Sequence, residues 1–197
     1  MNEVMSTILH RRSIRRFKDE QIKEEELQMI IEAGEYAPCA GGRQSPLFAV
    51  CQDKELNEEI GKINYEKLRE IVNVRPPEKT GDASSKAPVM KLDSGAHSIF
   101  NGAPTVITIF APKNWYNFIV DAAVAGENMM LCADSLGIGS CMIARAQETF
   151  ETERGQELMR QWGISEEYEA KIHIMFGYPE GEHPAAKPRR EGRVIRN

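Results

Sequence analysis

Residues 11 to 16 read RRSIRR, so four guanidinium groups and one hydroxyl fall within six positions of a chain whose net charge is −5. Arginine meets the oxygens of a phosphate with paired N–H donors, and Ser13 supplies a further donor beside them. A second basic cluster, Lys187, Arg189 and Arg190, stands near the other end of the chain. Between them lie two glycine-bearing turns, CAGGRQ at 39–44 and GIGSC at 137–141, whose backbone N–H groups suit a flat, carbonyl-rich ring. Either cluster alone reads as a solvated basic face. Together with the turns, they point to a small anionic ligand.

Other chemistries find less support. The histidines at 10, 97, 173 and 183 are scattered, with no second His, Cys or Asp at metal-ligand spacing, and His173 reads as the polar face of an alternating strand. Cys39, Cys51, Cys132 and Cys141 form no CxxC and read as reduced thiols of a cytoplasmic protein, with the two beside strands in the core. No GxSxG or HExxH occurs, and no GxGxxG follows a strand. Asp121, an acid near the start of an apolar helix, reads as a capping or interface residue. Net negative charge argues against nonspecific nucleic-acid or membrane binding, and no apolar run of membrane-spanning length is present.

The elements that must position these groups follow from periodicity. EEELQMIIEAGEY places Leu27, Ile30, Ile31 and Gly34 on one helix face, with acids crowding the first turn. LFAVCQ reads as a strand, and residues 54–73 as a second amphipathic helix. Residues 73–97, rich in Pro, Gly and Ser, read as a lid or excursion loop. NGAPTVITIFA is a continuous apolar strand, buried on both faces. The helix around 117–136 carries Ile119, Ala122, Ala123, Gly126, Met129, Met130 and Ala133 on one stripe, small enough for another helix or a sheet to approach closely. LGIGSCMIAR reads as a helix stop followed by a strand, ETERGQELMRQWGIS as a surface helix, and EAKIHIMFGYP as a last core strand. The tail has no apolar period. One α+β domain over residues 1–197, with a mixed sheet, accommodates the whole pattern.

RRSIRRF, the helix running into APCAGGRQSPLF, NGAPTVITIF, LGIGSCMIA and the ending FGYPEGE…KPRR occur in an order that resembles the FMN-dependent nitroreductase family. The resemblance covers residues 8 to 190. It implies a mixed or antiparallel sheet flanked by helices, in an intertwined homodimer with each FMN bound in the interface and residues 180–197 wrapping the partner. Arg11, Arg12, Ser13 and Arg15 would then grip the phosphate and ribityl chain, completed by Lys187 and Arg189. Cys39, Ala40, Gly42 and Gln44 would contact the ring, with Gly139 and Ser140 at its N5–O4 edge and Asn64 and Lys67 as further contacts. Arg16 would be a surface charge, and Leu9, Ile14 and Phe17 anchors to the core. Two positions depart from the family pattern: Gly42 stands where Asn is usual, and Gln44, Ser45, Pro46 replace Gln-Pro-Trp. The implied activity is NAD(P)H-dependent reduction of nitroaromatics or quinones by alternating hydride transfer through the flavin, so no protein-borne catalytic residue is required. Enone reduction, dehalogenation or flavin destruction on the same scaffold, and non-catalytic flavin binding, remain alternatives.

Overall fold

A computed structural model describes residues 1–74 and 98–196. Apart from the final residues of one helix, the segment expected to act as a lid lies outside the described residues.

Four strands form one antiparallel sheet: β1 (Leu47–Cys51), β2 (Thr105–Pro112), β3 (Gly139–Ile143) and β4 (Tyr168–Gly177), in the order β1-β2-β4-β3. The helices are α1 (Glu3–His10), α2 (Glu24–Glu35), α3 (Lys54–Val74), α4 (Phe118–Ser135), α5 (Gln147–Phe150) and α6 (Glu153–Gln161). They cover both faces of the sheet. On one face Ile107, Ile109, Ile172 and Ile174 pack against Leu27 and Ile30 of α2 and Ala122, Met129 and Ala133 of α4. On the other, Val106, Phe110 and Met175 meet Ile60 of α3, Phe150 of α5 and Leu158 and Met159 of α6.

Two features of β4 differ from simple alternation, and the double cover explains the first. β4 is a central strand and is buried almost throughout, so it has no polar face. His173 is fully buried, packed edge-on against Phe100, with Nδ1 2.8 Å from the Thr108 hydroxyl. Burial pushes its pKa down to about 3, which keeps the ring neutral. The second difference is a bulge. Ile109 pairs with Ile172, but Phe110 pairs with Ala170, which leaves Lys171 unopposed and moves Ala170 to the α3 side. Lys171 lies 3.6 Å from the centre of the Phe118 ring and pairs with Glu169.

The small residues of α4 serve packing within the chain. A Cβ on Gly126 would stand 2.8 Å from Ile172 and 2.9 Å from Ile174, so α4 sits directly on the sheet. A Cβ on Gly34 would stand 2.2 Å from the Met129 side chain, which brings α2 equally close. Ile119, expected on this stripe, is instead 61% exposed, beside exposed Val120. α1 buries none of its residues, and Leu9, expected as an anchor, is exposed on it with Val4, Met5 and Ile8. Ile14 is buried and Phe17 partly so, as anticipated. No helix among the described residues is long and apolar enough to cross a membrane.

Candidate functional site

The arginine segment is fixed to the sheet by its backbone. Ile14 N–H donates to the Ser140 carbonyl at 2.9 Å, and Ser13 bridges Ser140 as a short parallel extension of the β3 edge. Farther on, Lys18 N–H donates to the Tyr178 carbonyl at 2.9 Å and Glu180 N–H to the Arg16 carbonyl at 3.0 Å. Ile14 points inward, so its neighbours Ser13 and Arg15 face out and are exposed. Gly139 makes the approach possible, since a Cβ there would stand 2.8 Å from an Ile14 methyl.

Around this join the polar groups differ in how far they are committed. Arg12 turns its Nη1 back onto the carbonyls of Leu9 (2.8 Å) and Arg11 (2.7 Å), tying off the end of α1. Among the described residues its Nε is buried without a hydrogen-bond partner, as is the Ser140 hydroxyl. Arg11 is half-buried, with Nε 3.7 Å from Glu127 of α4. Burial pushes the Cys141 thiol up, while the Arg15 charge, the Ser13 hydroxyl and the Arg11 charge draw it partly back. Arg11, Ser13, Arg15, Gly139 and Ser140 therefore lie together. Arg16 makes only a 3.9 Å pair with Glu180 at the surface.

The second glycine-bearing group forms a separate wall. Ala40–Gly42 is a single 3₁₀ turn, and Gly41, Gly42 and Gln44 all have left-handed backbones, with φ of 66°, 63° and 49°. Gly42 suits that conformation, where most side chains are strained. Asp121, only 3% exposed, accepts the Ala40 N–H and the Trp115 indole N–H, each at 3.0 Å. Arg43 lies over the same indole, 4.3 Å from its centre, and the Gln44 N–H donates to the Cys39 sulfur at 3.0 Å. Asp121, expected as a capping or interface residue, thus ties the 3₁₀ turn and Trp115 to the first turn of α4. Trp115 carried no sequence signal, because no recognisable motif links it to Asp121 or Arg43. The turn borders a cavity of ≈940 Å³ lined by Tyr36, Cys39, Gly42, Gln44, Leu47 and Asp121 among others. None of Arg11, Arg12, Ser13, Arg15, Gly139 or Ser140 lines it.

Helix geometry accounts for the separation. Glu127, which meets Arg11, lies six residues beyond Asp121, about 9 Å along α4 and about 120° around it. The turn and the arginine segment are held on different faces of one helix.

The remaining predicted residues lie elsewhere. Asn64 is 1% exposed and donates to the Arg145 carbonyl (2.5 Å) and the Thr149 hydroxyl (2.8 Å), fastening α3 to the loop after β3. Lys67 pairs with Glu70 at 2.9 Å and borders a second cavity with Glu148 and Glu151. Lys187 and Arg189 are exposed in the tail, without a hydrogen bond or ion pair among the described residues.

The described residues form a covered antiparallel sheet with a cationic segment docked on its edge. Comparison with known proteins places the chain more narrowly. Residues 8–178 match the model of the nitroreductase family, and the chain belongs to that family. It is 26% identical over 195 residues to an NADPH-flavin oxidoreductase of Vibrio harveyi, covering 99% of this chain and 73% of the relative. A nitroreductase of Bacteroides fragilis, solved with bound FMN, superposes with a TM-score of 0.81 at 26% identity, covering 99% of this chain and 98% of that one. One from Desulfitobacterium hafniense, also with bound FMN, gives 0.80 at 28% identity over the full length of both.

Proposed function

We propose that this chain is an FMN-dependent oxidoreductase that draws reducing equivalents from NADH or NADPH and delivers them to nitroaromatic or quinone acceptors, donor and acceptor using one pocket in turn. The observation that carries this reading is the docking of residues 13–14 on Ser140, which sets Arg11, Ser13 and Arg15 against the start of β3. The groups present suit a flavin phosphate. Exposed Ser13 and Arg15 and half-buried Arg11 offer donors, and the unpartnered Arg12 Nε and Ser140 hydroxyl are two buried polar atoms that a ligand would satisfy.

Bound FMN would accept two electrons and a proton from the nicotinamide as hydride and pass the same equivalent to the acceptor. The chain's own part is binding and orientation. Arg11, Ser13 and Arg15 hold the phosphate, while Arg12 keeps α1 and the segment in register. Backbone groups at Gly139 and Ser140 would face the N5–O4 edge, and the left-handed turn would set Cys39, Ala40, Gly42 and Gln44 against the ring, its Ala40, Gly42 and Gln44 N–H groups being held by Asp121 and Cys39. Asn64 serves the site by fixing α3 against the Arg145 loop, and Lys67 by exchanging Glu70 for the ring's O2 edge. Lys187 and Arg189 complete the phosphate site from the tail.

The site is built from two chains in this reading. The glycine turn and the arginine segment occupy different faces of α4, and the cavity beside the turn is not lined by Arg11, Ser13 or Arg15. The exposed apolar residues of α1, with Ile119 and Val120 of α4 and Val194 and Ile195 of the tail, supply the surface for a homodimer. Purified protein is expected to be yellow, to release FMN on denaturation, to oxidise NAD(P)H rapidly when a quinone is added, and to sediment as a dimer. Colourless protein that fails to take up added FMN would refute the assignment, and a stable monomer that retains FMN would refute the shared site.

A further inference from the structure

Three metal-ligating side chains far apart in sequence meet at one end of α4. His10 closes α1, Asp134 sits in the last turn of α4, and His183 lies in the C-terminal segment. One ligand atom from each lies within 4.8 Å of the others. His10 Nδ1 is 3.0 and 3.1 Å from the two Asp134 oxygens, and the His10 and His183 rings stack with centroids 4.1 Å apart.

The carboxylate is largely shielded from solvent and has few ionic partners. Its side chain is only 12% exposed, and it stands at a helix C-terminus, where the dipole disfavours negative charge. The last turn of α4 contains no basic residue, and among the described residues no lysine or arginine pairs with Asp134. Its ionisable partner there is an imidazole. Two imidazoles and a carboxylate are a donor set that suits zinc and the neighbouring divalent transition ions.

We propose that His10, Asp134 and His183 form a surface binding site for a divalent transition ion of the Zn²⁺ class, with water completing the coordination. Ligand atoms on a tetrahedral zinc stand about 3.3 Å apart at bond lengths of about 2.0–2.1 Å. His10 Nδ1 and the Asp134 oxygens are already near that spacing. The stack itself is not a coordination geometry, because parallel rings aim their lone pairs along parallel planes. The His183 ring must rotate toward the carboxylate, and its exposed position leaves room for this. Binding requires both imidazoles neutral at the ligating nitrogen, so any proton held between His10 and Asp134 leaves as the ion enters. One consequence is mechanical: an ion here ties residue 183, four positions before Lys187, to α1 and α4. The site shares no residue with the proposed flavin site, and its test does not depend on activity.

Isothermal titration of chelator-treated, full-length protein with Zn²⁺ near neutral pH tests the site. The wild type is expected to bind Zn²⁺ with an affinity that weakens about tenfold or more in His183→Ala and in Asp134→Asn. Co²⁺ should give d–d absorption bands in the wild type that both variants lose. His183→Ala changes an exposed side chain, so its fold is secure. No Zn²⁺ uptake by the wild type, or equal uptake by wild type and His183→Ala, would overturn the proposal; the latter result would place the ion on other side chains.

Discussion

The chain carries two basic segments of similar composition, RRSIRR near its start and KPRR near its end, and the fold treats them differently. Residues 13–18 are hydrogen-bonded to β3 and to the end of β4, with buried Ile14 keying the segment into the sheet. The later segment is laid beside the first through Glu180 and His183, and then runs exposed, so that Lys187 and Arg189 have no partner among the described residues. Charge density alone would rate the two alike. What separates them is wiring: one set of cations is pre-organised by backbone bonds already made, and the other must lose conformational freedom when it binds. A ligand should therefore draw more net affinity from the first, because less of the contact energy is spent on ordering.

Replacing both Arg11 and Arg15 by alanine tests the fixed side of that contrast and should give the largest effect. Two charge-assisted contacts of about 1.5–3 kcal/mol each would be lost, weakening FMN affinity by well over tenfold. Fluorescence titration of the apoprotein with FMN measures it. Unchanged affinity would mean that the segment does not hold the phosphate.

A pH series on these variants has to be read against the core. The folded-state pKa of His173, about 3, lies below the unfolded value of 6.5. Between those values the unfolded chain binds the extra proton, so stability is full above pH 6.5 and declines as pH falls toward 3. At pH 4 the loss from this one group is about 3 kcal/mol. Urea unfolding at pH 7, 5 and 4 should show the decline, and His173→Gln should flatten it. If the wild type holds its stability to pH 4, the ring is not buried as a neutral group, and acid effects on FMN binding can then be attributed to the ligand site.

His173 also marks where sequence reading reached its limit. Alternation in EAKIHIMFGYP was a sound reason to expect a strand, and β4 is there. Which face was polar depended on whether helices covered both sides, a tertiary fact that period-2 patterning does not contain. The stripe on α4 was legible as small residues suited to close approach. Gly126 shows that the approaching element is the sheet of the same chain, while the adjacent exposed pair, Ile119 and Val120, lies off it. The arginine segment and both glycine turns were legible because short motifs carry them. Partnerships between distant positions were not: Asp121 with Ala40, Glu127 with Arg11, and His10 with Asp134 and His183 arise only when α4 is laid against its neighbours. No local periodicity encodes them.

Gly139→Ala probes the join itself without touching a charge. The added methyl would lie 2.8–3.0 Å from three carbons of Ile14, a β-branched side chain with little rotameric freedom. Overpacking of this kind costs about 1–3 kcal/mol. The variant should unfold at lower denaturant and also bind FMN more weakly, because Ser13 and Arg15 would be displaced from Ser140. Lower stability with unaltered FMN affinity would separate the docking of the segment from its proposed role, and would bring the two basic regions closer in kind.

The smallest effect is expected from Lys187→Ala combined with Arg189→Ala. Each bond that the tail forms to the phosphate is offset by about 0.5–1.5 kcal/mol for immobilising a long side chain that is free beforehand. The net loss should be about tenfold in FMN affinity at most, roughly 1.4 kcal/mol. Because the tail pair is exposed and unpaired among the described residues of the single chain, thermal stability of the apoprotein should not change. The decisive reading is the ratio between the two double variants measured in one buffer. A tail pair that costs as much as Arg11 and Arg15 would show that dimerisation organises the second segment as firmly as β3 organises the first, and pre-organisation within the chain would then no longer explain the difference.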